Sequence, residues 1–310
     1  MHLLVHRIKQ ASRRKNVVSV LFLDIEGAFP NAVKERLIHN MRKKRVPVVI
    51  VNMVDRILTD RTACLRFDDY VSEPFPLHNG IGQGDPISMI IYLYYNADLI
   101  RVAKGPNELA VAFVDDTALL AEGPTFRDTH KTLERMMNRP GGAFEWSREH
   151  NSRFEVSKFA LVDFTRHKDM ARPDLYIRNI LIRPAPTHKF LGVVIDQELR
   201  WKPQVEYAYA KVTAWITLFK RIARNRLGIS SIMLRRLYIA VAIPKIIYAA
   251  DVWFTAVHKP PGAKKQRGSV AAFHKLTKAQ RMAAIAITGC LKTTATDSLS
   301  HTLISCRRTC

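Results

Sequence analysis

The stretch AVAFVDDTALLA, residues 110–121, places two adjacent carboxylates inside an otherwise apolar run. Burying ionised groups costs free energy unless a partner compensates them. A hairpin accounts for the pattern: residues 109–114 and 117–121 are predicted as two short buried strands, and Asp115 and Asp116 as the tight turn between them. Because aspartates are common in turns, two alternatives stay open here. The pair only makes the turn, or it holds a metal ion.

A third carboxylate favours the metal alternative. Residues 17–25, VVSVLFLDI, are predicted as a buried strand that Asp24 ends. Carboxylates at the ends of neighbouring strands can converge, and two-metal phosphoryl transfer needs such groups around two divalent ions about 4 Å apart. Oxygen ligands suit Mg²⁺, and no set of thiolates or imidazoles competes for this role. We therefore expect Asp24 and Asp115 to lie within reach of a shared ion.

The composition points to a reduced, intracellular protein with a polyanionic partner. The 310 residues, 47% of them hydrophobic, suffice for a sizeable core. There is no long apolar run to span a bilayer, no pattern typical of a signal peptide, and no cysteine spacing typical of a zinc site. Lys and Arg total 49 against 27 Asp and Glu, a net charge of +22. Each basic cluster alone is typical of a solvated surface, but together they favour nucleic acid as the partner.

Hydrophobic periodicity predicts an α+β first part and an all-helical second part, with the change near residue 200. A helix that begins at Pro86 is apolar nearly all round and is expected to be buried. A hairpin is predicted to turn at Asp68 and Asp69. The other predicted elements are a helix that Pro47 ends, helices at residues 48–58, 125–138, 205–224, 231–254 and 270–288, and strands at residues 161–164, 181–182 and 190–195.

Four motifs then occur in a fixed order: LFLDIEGAFPNA (21–32), NGIGQGDPIS (79–88), AFVDDTALLA (112–121) and KFLGVVID (189–196). In that order they resemble the first catalytic motif, the template-gripping motif, the aromatic-x-Asp-Asp hairpin and the primer-grip motif of reverse transcriptases. The chain is most similar to the non-LTR (LINE-like) retrotransposon group.

The resemblance implies a palm-type polymerase core, an antiparallel sheet with packed helices, followed by a helical thumb region. The expected domains are a palm with a remnant of the fingers (1–200), a helical thumb (201–257), and a basic linker with a C-terminal helical segment (258–310). The fingers region of the family precedes the first catalytic strand by many more residues than the 23 before Asp24. We therefore expect the chain to be a fragment of a larger polyprotein or a decayed copy of an element.

The resemblance also assigns the metal and catalytic roles. Asp24 and Asp115 correspond to the principal metal ligands, and Asp116 to a supporting carboxylate. The backbone carbonyl of Ile25 corresponds to an additional ligand. The implied cofactor is a pair of Mg²⁺ ions, with Mn²⁺ as a substitute.

The implied nucleotide-binding residues are Phe29, Gln83, Gly84 and Lys158. Phe29 falls where the family places an aromatic ring beneath the incoming sugar, which leaves no room for a 2′-hydroxyl; without the motif it would be read as a core residue. Lys158 falls near the position of a lysine that faces the pyrophosphate, and its spacing also fits a surface lysine. The implied template and primer contacts are Gly82, Pro86, Leu191, Gly192, Arg221 and Arg224.

The expected function is therefore that of an RNA-directed DNA polymerase with an RNA template, a DNA primer and deoxynucleoside triphosphates as partners, and no membrane. The expected location is intracellular; the resemblance implies the nucleus for target-site integration, which the sequence itself does not indicate. Two alternatives come from other classes. One is a catalytically inactive nucleic-acid-binding remnant of such an element. The other is a different palm-type enzyme such as a nucleotide cyclase, which would need neither GIGQGDP nor FLG.

Overall fold

The computed structural model describes residues 1–167, 170–223 and 228–296. Arg224, one of the predicted template and primer contacts, lies outside the described residues. The chain divides into two compact units. The N-terminal unit runs from Leu3 to Leu191, and the C-terminal unit comprises Gly192 onward together with Met1 and His2. Within the described ranges, no helix is both long enough and apolar enough to cross a bilayer.

The N-terminal unit combines antiparallel strands with helices, which confirms the mixed α and β character expected from the sequence. Its helices are α1 (His2–Arg13), α2 (Lys34–Lys43), α3 (Val48–Leu58), α4 (Pro86–Asn96), α5 (Phe126–Asn138) and α6 (Ala143–Glu149). Its strands are β1 (Val17–Leu23), β2 (Ile25–Glu26), β3 (Thr62–Ala63), β4 (Arg66–Phe67), β5 (Tyr70–Val71), β6 (Phe75–Pro76), β7 (Glu108–Phe113), β8 (Asp116–Gly123), β9 (Arg153–Phe154), β10 (Ala160–Phe164), β11 (Leu175–Ile177), β12 (Ile180–Ile182) and β13 (Thr187–Phe190).

The centre of this unit is a four-stranded antiparallel sheet with the order β10-β1-β8-β7. All seven residues of β1 are buried, since β1 has a neighbour on each side and α5 packs against it. This explains its run of Val and Leu, which suits a strand covered on both faces. The polar residue within it, Ser19, is satisfied by hydrogen bonds to the buried side chains of Thr129 (2.7 Å) and Asp163 (2.5 Å).

Several sequence predictions for this unit are confirmed. Helix α3 has the predicted bounds, and the carbonyl of Pro47, which precedes it, accepts hydrogen bonds from its first turn. The β4–β5 hairpin turns at Asp68 and Asp69. Helix α5 begins after Thr125, whose hydroxyl accepts a hydrogen bond from the backbone N–H of Asp128.

Two predictions for this unit are wrong. Helix α4 is not buried all round, because its outward residues Met89, Ile90 and Leu93 are each about half exposed. The predicted strand at 190–195 is divided, because Leu191 and Gly192 have φ angles of 48° and 77° and end β13.

The C-terminal unit begins with β14 (Val193–Asp196) and is otherwise helical in its described part. The predicted helix at 231–254 is divided into four segments. Pro244 has no backbone N–H to donate within the helix, and a π-helical turn at Tyr238–Ala242 precedes it. Ala249, with a φ of 51°, interrupts the helix a second time. The helices are α7 (Lys202–Ala223), α8 (Ser231–Leu237), α9 (Ile243–Ile247), α10 (Ala250–Trp253) and α11 (Val270–Thr288). Its core is formed by buried residues of α7, α8, the π-helical turn and α11.

Candidate functional site

The register of the central sheet brings the candidate carboxylates to one end of it. On β1, Leu23 is the Cα partner of Thr117 on β8. The residues next in line, Asp24 and Asp116, therefore stand at the same end of two neighbouring strands. Asp115 lies in the turn that joins β7 to β8 at that end. All three side chains are partly exposed, so a ligand can reach them.

The turn itself differs from the prediction by one residue. Phe113 pairs with Asp116, so the two turn residues are Val114 and Asp115, and Asp116 is the first residue of β8. Val114 has a φ of 58°, a left-handed conformation that costs an L-residue roughly 1–2 kcal/mol. A two-residue hairpin with positive φ at its first position usually has Gly there. The sequence pattern missed this because Val is typical of a strand.

The carboxylates of this site carry more negative charge than the neighbouring positive groups neutralise. The pKa of Asp116 is raised, first by its partial burial and then by the negative charges of Asp115 and Asp24. The Asp116 carboxylate is thus close enough to those of Asp115 and Asp24 to be repelled by them. A divalent cation bound among them would relieve this repulsion, and a set of carboxylate oxygens is the donor set that Mg²⁺ prefers.

A lysine supplies part of the missing positive charge. The Nζ atom of Lys158 lies 3.0 Å from Oδ2 of Asp24, and it also pairs with Glu155. Hydrogen bonds to Glu155 and then to Asp24 raise the pKa of Lys158. In the part of the chain that the structure describes, no three His, Cys, Asp or Glu side chains already stand as a metal-ligand set. The donors fit a cation chemically, but binding one requires them to move together.

The backbone segment that carries Phe29 is hydrogen-bonded to the segment that leads into Gln83 and Gly84. The backbone N–H of Ile81 donates to the carbonyl of Phe29, and that of Gly80 donates to Ala32, both at 2.8 Å. A Cβ atom on Gly80 would stand 2.8 Å from the carbonyl oxygen of Pro30, so only glycine permits this approach. The Phe29 ring stacks on Tyr92 of α4, with ring centroids 4.9 Å apart.

The other candidates are less closely grouped. Gly82, Gln83, Gly84 and Pro86 lie exposed around the start of α4, where the Asp85 carboxylate accepts a hydrogen bond from the N–H of Ile87 at 2.9 Å. Ile25 is buried on β2, which pairs with β9. Leu191 ends the N-terminal unit and Gly192 begins the C-terminal unit, in which Arg221 lies on α7.

Comparison with known proteins gives the family. A family model described as "Reverse transcriptase (RNA-dependent DNA polymerase)" matches residues 1–195. The chain belongs to the reverse transcriptase family. This membership implies a palm-type polymerase fold for the matched region.

Individual reverse transcriptases are similar to the chain over most of its length. An RNA-directed DNA polymerase from the mobile element jockey of Drosophila melanogaster is 23% identical over 265 residues, which cover 82% of this chain and 28% of the relative. A probable RNA-directed DNA polymerase from transposon X-element of the same species is 23% identical over 255 residues, with the same coverage. The resemblance to the non-LTR retrotransposon group is thereby confirmed. The chain spans just over a quarter of the length of these relatives.

Among solved structures, apo telomerase from Candida tropicalis is similar to the chain with 10% sequence identity and a TM-score of 0.48. The similarity covers 98% of this chain and 50% of the telomerase chain.

The sequence reasoning missed two residues of α4 that contact this candidate site. Tyr92 supports the Phe29 ring, and Asn96, one turn later, donates a hydrogen bond to the carbonyl of Val114 at 2.5 Å. A signal was present in the sequence. Asn96 ends the apolar run PISMIIYLYYN, four residues after Tyr92, and a buried amide at helical spacing from a buried ring needs a partner.

Proposed function

We propose that the chain is the polymerase core of an RNA-directed DNA polymerase of a retrotransposon, which adds deoxynucleotides to the 3′-hydroxyl of a primer. The observation that carries the proposal is the convergence of Asp24, Asp115 and Asp116 at one end of the central sheet. The charges of the first two raise the pKa of the third. Such a cluster of carboxylates serves two-metal phosphoryl transfer.

In this proposal Asp24, Asp115 and Asp116 would hold two Mg²⁺ ions, with Mn²⁺ as a substitute and the carbonyl of Ile25 as a further oxygen donor. When bound, the ions supply positive charge that stabilises the attacking and leaving oxygens of the transfer. Lys158 is already held at Asp24 by its hydrogen bond, so its ammonium group lies where a triphosphate would add negative charge. It would then bind the leaving pyrophosphate.

Phe29 would select deoxynucleotides. Its ring is half-buried and packs on one face against the fully buried Tyr92, so it cannot retreat from an incoming sugar in that direction. A 2′-hydroxyl would meet the ring edge. The backbone of Gly82, Gln83 and Gly84, next to the segment of Phe29, would border the template base and the nucleotide.

Residues 201–257, within the C-terminal unit, would be the thumb, and residues 258–310 a basic linker and a C-terminal helical segment. We propose that Arg221 and Arg224 contact the phosphates of the template–primer duplex, and that Leu191 and Gly192 shape the turn facing the primer. The net charge of +22 supports this partner. Binding should then weaken steeply as salt rises, and reversing the charge of Arg221 should weaken it without sequence bias. The nucleus is the proposed compartment.

A second candidate function is a nucleic-acid-binding remnant without turnover. It is favoured by the absence, among the described residues, of a ready-made metal-ligand set and by the pairing of Asp24 with Lys158. Such a module would bind the duplex through its basic surface, with no contribution from Asp24 or Asp115.

Primer extension on an RNA template separates these functions. The chain and its Asp115→Asn variant are compared at equal template–primer occupancy, with Mg²⁺ and with Mn²⁺. The polymerase proposal expects extension that depends on Asp115, with deoxynucleotides used in preference to ribonucleotides. Equal binding by both proteins with no extension by either, also in a version extended with a fingers segment, would support the binding remnant instead.

A further inference from the structure

The turn that carries Asp115 is held in a conformation that its own sequence does not favour. Val114 has a φ of 58°, and its side chain is buried. A β-branched residue at a positive φ is an outlier that persists only where surrounding contacts fix it. The residue that stabilises this conformation of Val114 therefore also determines the direction of the next residue, Asp115.

Asn96 makes the contact that fixes the turn. Its Nδ2 atom donates a hydrogen bond of 2.5 Å to the carbonyl oxygen of Val114, the carbonyl of the peptide group that leads into Asp115. Asn96 is the last residue of α4 and only 3% exposed. The amide thus joins a helix of the N-terminal unit directly to the strained peptide of the candidate site.

Packing alone does not explain an asparagine at this position. Its Oδ1 atom is buried without a hydrogen-bond partner, and an unpartnered buried carbonyl oxygen is unfavourable. An apolar residue of the same size would avoid this cost. The Nδ2 donor of Asn96 must therefore make a contribution that an apolar residue cannot make. Because its acceptor is the carbonyl of Val114, this contribution is the orientation of the turn.

We propose that Asn96 is a positioning residue, which holds the Val114 peptide so that the Asp115 carboxylate faces Asp24 and Asp116 as a cation ligand. Asn96 has no role in the chemistry itself and acts through Val114. The inference rests on the proposed function, because it concerns the affinity of the same carboxylates for a divalent ion. Outer partners that orient metal ligands typically contribute about 10- to 100-fold in metal affinity.

The test is a Mn²⁺ titration of the full chain, read by the electron paramagnetic resonance of the free ion. Asn96→Leu keeps the number and branching of the side-chain heavy atoms and removes both the donor and the unpartnered Oδ1. The matched control is Asn40→Leu, because Asn40 is also buried and also donates to a backbone carbonyl, that of Tyr95, at 3.2 Å. Both variants are also unfolded by urea, and Asp115→Asn is titrated in parallel.

The proposal expects Asn96→Leu to weaken Mn²⁺ binding about 10- to 100-fold and Asn40→Leu to leave it unchanged, whatever their stabilities. Adding Val114→Gly to Asn96→Leu should restore part of the affinity, because glycine adopts a positive φ without support. This double variant also serves if Asn96→Leu alone does not fold.

Unchanged Mn²⁺ affinity in Asn96→Leu, with Asp115→Asn defective, would overturn the positioning role and leave the proposed function standing. A loss of affinity in Asn40→Leu as large as in Asn96→Leu would also overturn it, since the effect would then follow from general destabilisation. Binding unaffected by Asp115→Asn would instead refute the proposed metal site.

Discussion

The two ends of the β7–β8 hairpin each carry a carboxylate, and the electrostatic environments of the two carboxylates are opposite. At the open end, Glu108 is almost fully buried. Arg139 donates to both of its oxygens, at 3.0 and 2.5 Å, and the backbone N–H groups of Lys104 and Gly105 donate to Oε2. Burial alone would raise the pKa of Glu108, but these donors outweigh it and lower the pKa to about 2.

At the turn end, Asp116 has other carboxylates as neighbours, and its pKa is raised by burial and then by Asp115 and Asp24. The chain therefore neutralises the carboxylate of Glu108 at one end of the hairpin, whereas the carboxylate of Asp116 at the other end lacks a positive partner among the described residues. Compensation from within the chain is typical of a structural carboxylate. A carboxylate that the chain leaves uncompensated, and accessible, is typical of a ligand site.

The largest effect is expected on stability, when the counter-charge of Glu108 is removed. Arg139→Met leaves a buried carboxylate without its main counter-charge, and we expect it to lower the free energy of unfolding by about 3–5 kcal/mol at pH 7. Urea unfolding measures this. Because Glu108 has a lowered pKa in the folded state, its contribution is present above its unfolded-state pKa and is lost as pH falls toward about 2. The cost of Arg139→Met should therefore shrink in acid.

The matched control for that variant is Arg135→Met. The Arg135 guanidinium lies 3.7 Å from the same Glu108 carboxylate but is largely exposed, so its removal should cost less than about 1 kcal/mol. An equal cost for both variants would show that Glu108 does not depend on its buried partner.

A smaller effect is expected from the lysine at the uncompensated end. Lys158→Met removes the ammonium group that lies 3.0 Å from Asp24 and competes there with an added cation. We expect Mn²⁺ to bind about 1.5- to 5-fold more tightly, a range typical of exposed ion pairs. Calorimetric titration of the two proteins measures the change. Weaker binding in the variant would mean that Lys158 organises the carboxylates and does not compete for them.

The smallest effect concerns Asp116 in the absence of divalent ions. Its pKa is raised in the folded state, so the stability linked to it is fully present below its unfolded-state pKa and is lost as pH rises through the folded-state pKa. Asp116→Asn should therefore be slightly more stable than the parent chain at pH 7, by less than about 1 kcal/mol because the site is partly exposed and screened. The difference should disappear near pH 3. Unfolding in EDTA at both pH values measures it.

The sequence predicted those parts of the molecule whose structure follows from a local pattern of residues alone. Strand β1 was recognised because a central strand must be apolar on both faces, and α3 was predicted with the bounds that it has. The carboxylates Asp24 and Asp115 were found because ions inside apolar runs are conspicuous.

The sequence did not predict features that depend on distant contacts. The turn was placed one residue too late, because the pattern of Val114 indicates a strand, whereas in the fold its φ is 58° and its carbonyl accepts a hydrogen bond from Asn96. The division of residues 190–195 came from the positive φ angles of Leu191 and Gly192, of which Leu gives no local signal. Helix α1 was not predicted, although Leu4, Val5, Ile8 and Ala11 bury one face of it.

The central claim is that the carboxylates at the turn end form a binding site for divalent ions. The most direct test compares Mn²⁺ binding by the parent chain, Asp24→Asn and, as a matched control at the other end of the hairpin, Glu108→Gln. The account predicts that Asp24→Asn weakens binding by at least about 100-fold, since a ligand should matter more than the outer partners that orient it. It also predicts that Glu108→Gln binds Mn²⁺ as the parent chain does. Binding that survives Asp24→Asn unchanged, or that falls equally in Glu108→Gln, would contradict the account.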